Sequence, residues 1–268
     1  MIQIENIEMH AAHGCDHACA HCSHFSNHSL GGVLSLDDAD RQMGFWSHRL
    51  APHWFSVLGG EPTLHPRLPE LLEICCLHWP RVRLVTNGSF LSRHPRLPQV
   101  LESHQILLEI SVHHDGPAYR QRVVRIKQLI NEWQMEHHFA VRIRESFQSW
   151  QQLFRGEGTA ILPFQDGRPE ESWNACRSRW CPQIFEGRIY KCPPTAYMEL
   201  MRRKYGLAPE WDPYLGYKPL EPGCSDDVLK EFVTRRAEPI CRMCPAAPET
   251  IALPDPLAHR RQLANEGT

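Results

Sequence analysis

Between Ile2 and about Glu145 the chain switches repeatedly between two hydrophobic periods, and this switching constrains its fold more than any other feature. Runs of strand character lie at Ile4 to His10, Trp54 to Leu58, Arg81 to Thr86, Ile106 to Val112 and Phe139 to Ile143. Helical spacing fills the gaps at Ser35 to His48, Pro66 to His78, Pro95 to Ser103 and Pro117 to Gln134. Ser35, followed by Asp37 and Asp38, reads as a helix cap, and a proline opens each of the other three. Strands that alternate with helices pair in parallel, so the expectation is an α/β fold. At 268 residues the chain has room for one large core and an appendage.

The polar punctuation falls at one end of these strands. Cys15 follows the first, Gly59-Gly60-Glu61-Pro62 the second and Thr86-Asn87-Gly88 the third. Ser111 and His113-His114-Asp115 close the fourth, and Arg144-Glu145 the fifth. All are C-terminal strand ends, the face on which barrel-like α/β folds gather their active-site loops. From about Phe147 the alternation stops. A hairpin is expected at Gln183 to Cys192, turning at Glu186-Gly187, with helices near Ala196 to Lys204 and Asp226 to Arg236. The proline-rich segment from Pro245 reads as a loosely packed tail. The division expected is 1–150 for the core and 151–268 for the second region.

Eleven cysteines are many for a chain with no signal-like segment and no apolar run long enough to cross a bilayer. A disulfide framework is therefore not expected, and metal binding in a reducing, cytoplasmic compartment is. The cysteines cluster accordingly: Cys15, Cys19 and Cys22 at one end, and Cys176, Cys181, Cys192, Cys241 and Cys244 at the other. Cys75 and Cys76 sit in an apolar helical run and, with Cys224, carry no chemistry in this reading. The first set, C-x3-C-x2-C, offers three thiolates. A four-iron cluster normally takes four ligands, so three in one loop leave one iron open to a small molecule. A zinc knuckle completed by one of the nearby histidines, His13, His17, His21, His24 or His28, stays open as the alternative.

The Cys15-Cys19-Cys22 loop, followed one strand later by Gly59-Gly60-Glu61-Pro62, resembles the signature of radical S-adenosylmethionine (SAM) enzymes. The resemblance implies a partial (β/α)6 TIM-type barrel. It implies a 4Fe-4S cluster on Cys15, Cys19 and Cys22 whose open iron chelates SAM. Gly59, Gly60 and Glu61 would hold the SAM amino group, His21 would lie against adenine, and Asn87 and Ser111 (or His113) would contact the rest of the nucleotide. Arg142 and Arg144 alternate on the fifth strand and so share a face, where one could meet the SAM carboxylate, a solvated edge strand being the other reading. The second cysteine group, a hairpin flanked by Cys176 and Cys192 plus the pair Cys241 and Cys244, resembles the twitch appendage that holds an auxiliary 4Fe-4S cluster. Cys181 rivals Cys176 as the first of these four ligands, and a four-cysteine zinc ribbon is the alternative. In layout the chain resembles the aminocyclitol dehydrogenases of this family.

The implied function is oxidation or rearrangement of a small polar substrate (a sugar, aminocyclitol or nucleoside), with Arg142, Arg144, Glu145 and His113 as candidates for handling its protons. A flavodoxin or ferredoxin would supply the electron. Maturation of a ribosomally made peptide is the second reading, and a non-catalytic zinc-binding module the third. A net charge of -2 gives no pull toward nucleic acid or anionic membranes, and neither partner is expected.

Overall fold

Each strand expected in the first half forms, and each pairs in parallel with its neighbour. The computed structural model describes residues 1–156 and 160–257. Its strands are β1 (Ile2–Ala12), β2 (Leu50–Gly59), β3 (Val82–Thr86), β4 (Leu107–Val112), β5 (Val141–Glu145), β6 (Gln183–Phe185) and β7 (Arg188–Tyr190). They make one seven-stranded sheet in the order β5-β4-β3-β2-β1-β6-β7. Only the β6–β7 pair is antiparallel. The helices between the first five strands are α1 (Leu36–Gly44), α2 (Leu68–His78), α3 (Leu97–Ser103) and α4 (Pro117–Gln134). This is the mostly parallel α/β sheet of a partial barrel.

Period-two alternation divides the sheet into an apolar outer face and a polar inner one. Ile7, Met9, Phe55, Val57, Val82, Leu84, Leu108 and Ile110 are buried on the outer face with Met43, Leu68, Leu72, Leu101 and Ile126 of the helices. Each such side chain contributes about 1.5–3 kcal/mol on burial. Cys75 lies within this core as a small hydrophobe. The alternate positions, Asn6, Glu8, Ser56, Arg83 and Glu109, form the inner face.

Some boundaries differ from the sequence reading. α1 stops at Gly44 rather than His48, although Ser35 caps it as expected, its Oγ accepting from the Asp38 amide at 3.1 Å. β5 starts and ends two residues later than expected, because Ser111 and Val112 continue the ladder to Arg144 and Glu145. Those two residues are therefore in the strand instead of after it.

The hairpin forms where expected, with Glu186 at φ 51° and Gly187 at φ 80° in its turn. It does not stay within the second region. β6 pairs with β1 and so supplies a sixth parallel strand to the core sheet. Trp46 Nε1 donates to the Gly187 carbonyl and the Gly187 amide donates to Gln42 Oε1, both at 3.0 Å, which pins the turn to α1. The remaining helices are α5 (Pro169–Ala175), α6 (Pro193–Tyr205), α7 (Asp212–Leu215) and α8 (Asp226–Thr234). A second apolar cluster, including Ile161, Tyr197, Met201, Trp211 and Met243, also takes in Phe25 and Leu30 from the segment after Cys22. The cysteine loop is thus wedged between the two cores.

The C-terminal segment corrects the expectation of a loose tail as far as it is described. Ala246 and Leu253 are buried, the Ile251 amide donates to the Trp150 carbonyl, and the Ala18 amide donates to the Pro256 carbonyl. The segment closes over the cysteine loop. The part of that tail from 258 onward lies outside the described residues.

Where β1 and β2 end, their backbones come into direct contact. The Gly60 amide donates to the Ala12 carbonyl at 2.9 Å and the Glu61 amide to the Gly14 carbonyl at 2.8 Å. A Cβ on Gly60 would stand 2.1 Å from the Gly14 oxygen, and one on Gly59 2.2 Å from that of Ala12. The two glycines are needed to admit the cysteine loop. Gly60→Ala should therefore destabilise the protein by about 3 kcal/mol or prevent folding, whereas Gly31→Ala, with open space around it, should not. Thermal unfolding of the two variants beside the parent checks this.

Candidate active site

A cavity of about 500 Å³ opens at the C-terminal strand ends. Cys15, Cys19 and Cys22 line it together with Gly59, Gly60, Asn87, Ser111, His21, His113, Arg144 and Glu145. Most of the residues singled out in the sequence thus meet on one surface. The volume lies in the range of pockets for small ligands.

The cysteine loop is held by polar contacts at its base. Asp16 accepts from Asn87 Nδ2 at 2.8 Å, from Ser89 Oγ at 2.6 Å and from Arg122 Nη2 at 2.8 Å. Trp150 Nε1 donates to the Ala20 carbonyl at 2.7 Å. Burial pushes the Cys15 and Cys19 thiols well up. Burial also acts on Cys22, but hydrogen bonding from His24 outweighs it and holds that thiol down. The three sulfur groups interact with one another in sequence. Three buried soft donors fit an iron-sulfur cluster, which would keep them as thiolates.

Glu61 departs from its expected position. Its side chain is fully buried and does not line the cavity. Its carboxylate accepts from the Thr63 amide at 3.0 Å, the Asn87 amide at 2.8 Å and the hydroxyls of Thr63 and Thr86. Burial pushes its pKa up to about 7 against these hydrogen bonds. Glu61 therefore ties β2 to β3, and only the backbone of Gly59 and Gly60 is left to face a ligand.

His21 lines the cavity with its ring 4.8 Å from that of Phe154. Ser111 Oγ is buried there without a hydrogen-bond partner among the described residues. His113 is packed edge-on against His17 and Trp150, and burial lowers its pKa to about 3, so its ring is neutral. Arg142 does not reach the cavity. Its Nε donates to Glu109 Oε2 at 2.8 Å, while Arg144 Nε lies 3.4 Å from Glu109 Oε1. The shared face expected for the two arginines is present, and a buried carboxylate fills it.

The sequence reading missed the floor beneath these groups. Tyr197 Oη donates to Gln183 Oε1 at 2.8 Å, Gln183 Nε2 to Glu8 Oε2 at 2.6 Å, and Asn6 Nδ2 to Glu8 Oε1 at 2.9 Å. Ser56 Oγ donates to Asn6 Oδ1 at 2.7 Å, Arg83 Nη2 to Ser56 Oγ at 2.8 Å, and Arg83 Nη1 stands 3.5 Å from Glu109. This chain of polar contacts crosses every parallel strand of the sheet. Its signal was available: Glu8, Arg83 and Glu109 are charges inside otherwise apolar strands, and a charge there needs a partner.

The second cysteine group surrounds a smaller cavity lined by Cys176, Cys192 and Cys244 with Tyr214, Trp211 and Phe154. Cys241 interacts with Cys176, Cys192 and Cys244. Tyr214 Oη lies 2.9 Å from Cys244 Sγ. Cys181 is elsewhere, in the wall of the large cavity, with its thiol toward Glu8. The geometry therefore groups Cys176 with Cys192, Cys241 and Cys244.

Residues 9–135 match the Radical SAM superfamily, whose members are SAM-dependent iron-sulfur enzymes. Among solved structures the chain is similar to BtrN in complex with AdoMet and 2-DOIA, at 16% identity over 93% of this chain and 97% of that one, with a TM-score of 0.49. It is similar also to anSMEcpe with bound AdoMet, at 18% identity over 52% of this chain and a TM-score of 0.40, and spans 42% of that relative's length. A third is Streptococcus suis SuiB bound to S-adenosylmethionine, at 13% identity over 85% of this chain and 74% of that one, TM-score 0.37. No curated protein matches the chain at a significant level. Among the described residues no helix is long and apolar enough to cross a membrane.

Glu109 offers the most direct test of the floor. Glu109→Leu leaves Arg83, Arg142 and Arg144 without their shared anion and should cost about 3 kcal/mol, the solvent around Arg142 and Arg144 softening the loss. Denaturant unfolding of the variant beside Arg142→Ala, which should cost less, measures it.

Proposed function

We propose that this protein is a radical SAM oxidoreductase with two 4Fe-4S clusters that acts on a small polar substrate. The observation that carries the reading is the convergence of Cys15, Cys19 and Cys22 with the Gly59-Gly60 backbone on one cavity, with Cys176, Cys192 and Cys244 on a neighbouring one and Cys241 in electrostatic reach of those three. Core and appendage divide near residue 150 in this proposal.

When bound, the first cluster would supply the electron that splits SAM into methionine and a 5'-deoxyadenosyl radical able to take hydrogen from a C–H bond, and the auxiliary cluster would take up the second electron from the resulting substrate radical as a proton leaves. Cys15, Cys19 and Cys22 would hold the first, and Cys176, Cys192, Cys241 and Cys244 the second. The protein's own groups do the positioning. Gly59 and Gly60 bring bare backbone to the SAM amino group, with Glu61 fixing the turn from behind. Asn87, Ser111 and His21 contact the nucleotide, His21 by stacking. His113, neutral and without a partner for Nδ1 among the described residues, can accept one hydrogen bond from a ribose or substrate hydroxyl. Glu145 lines the cavity as the carboxylate best sited to take a substrate proton. Arg142 acts from behind, through Glu109. Trp150 and Leu153 cover the cavity and help exclude water. A reducing, cytoplasmic setting and a flavodoxin or ferredoxin donor complete the proposal.

Protein purified without oxygen should be brown and carry about eight irons, and with a reductant and SAM it should yield 5'-deoxyadenosine. Cys19→Ala should abolish that product. Cys244→Ala should retain about four irons and part of the SAM cleavage, whereas Cys181→Ala should retain about eight. A colourless zinc protein would overturn the proposal, and loss of about four irons in Cys181→Ala would overturn the ligand set.

A further inference from the structure

Arg83, Arg144 and Arg177 line the large cavity together with Glu8, Glu109 and Glu145. Glu109 is the one carboxylate shared by Arg83, Arg142 and Arg144, with Arg83 and Arg142 both on Oε2 and Arg144 on Oε1. Arg83 is largely buried, and its pKa is lowered by that burial, with Arg142 and Arg144 adding to the effect. Arg144 spends only its Nε on Glu109. Among the described residues its two terminal nitrogens make no hydrogen bond, and Arg144 lines the cavity. Arg177, from the segment after α5, lines the same cavity and has neither a hydrogen bond nor an ion pair among the described residues.

The other acids of the cavity are already engaged. Glu8 accepts from Asn6 and Gln183 and lies 3.9 Å from His24, and Glu145 accepts from Gln148. On the same cavity, Ser146 Oγ lies buried and unpartnered among the described residues. Two guanidinium groups with open N–H donors and a free hydroxyl make a fitting receptor for anionic oxygens.

We infer that the substrate carries a carboxylate or phosphate group, held between Arg144 of β5 and Arg177 of the appendage. This rests on the proposed function and narrows its substrate class. The anion is the substrate's own and not that of SAM. In that reading the amino-acid end of SAM belongs with Gly59 and Gly60 at the end of β2, while β5 is three strands away and Arg177 comes from the appendage. An anion bound there would join the two regions across the cavity.

The test uses the full chain with its clusters assembled without oxygen, titrated calorimetrically with inorganic phosphate, acetate or SAM at constant ionic strength. Phosphate or acetate should bind saturably, the tighter of the two naming the group. Arg144→Gln and Arg177→Gln should each weaken that binding about tenfold. Arg120→Gln, on the exposed start of α4, should change nothing. Absence of saturable anion binding, equal weakening by Arg120→Gln, or displacement of the anion by SAM would each overturn the inference. Continued 5'-deoxyadenosine formation in such a case would show that the SAM-cleaving site itself stands.

Discussion

The carboxylate of Glu61 lies where the ends of β1, β2 and β3 meet, and what it accepts there decides where the cysteine loop can sit. It takes the amides of Thr63 and Asn87 and the hydroxyls of Thr63 and Thr86, while its own backbone amide reaches Gly14. A buried carboxylate with that many donors costs much to disturb, because each donor would be left unmet in a dry interior. Asn87, fixed by its amide, then turns its side chain to Asp16 inside the loop. Gly59 and Gly60 make this possible by lacking the Cβ atoms that would strike Ala12 and Gly14. The cysteine loop is thus shaped by the strands around it.

Much of the site was legible because its signals are local. Three cysteines in eight positions, a glycine pair before a glutamate and a turn after a strand each carry their meaning within a few residues. The partners of Glu8, Arg83 and Glu109 were not legible, since each lies on another strand and sequence spacing does not report register. Glu61 shows the same limit at close range: its place after two glycines suggested a ligand contact, but the neighbouring Thr86 and Asn87 turn it inward. Cys181 and Cys176 are five residues apart, and which one joins Cys192 depends on how the intervening turn directs the chain. Cys181 ends beside Glu8 of β1, and that contact withdraws it from the second set.

Fold and appendage are harder to separate than the break in pattern near Phe147 suggested. β6 lies against β1 in the core sheet, while α6, which begins directly after Cys192, packs Tyr197 onto the ring of His10 at 4.0 Å. Tyr197 also starts the hydrogen-bonded chain that ends at Arg142 and Arg144. The two cysteine groups are therefore mounted on one continuous framework.

The position of β5 at the rim of the sheet has a consequence for association as well as for binding. A terminal strand offers unpaired backbone groups to any other extended chain, the usual first step toward stacking into aggregates. Here the rim carries Arg142, Arg144 and Glu145 in nearly consecutive positions, all exposed. Another strand laid along it would have to strip water from those charges. The charged side chains on this rim of the sheet thereby discourage neighbouring molecules from extending it.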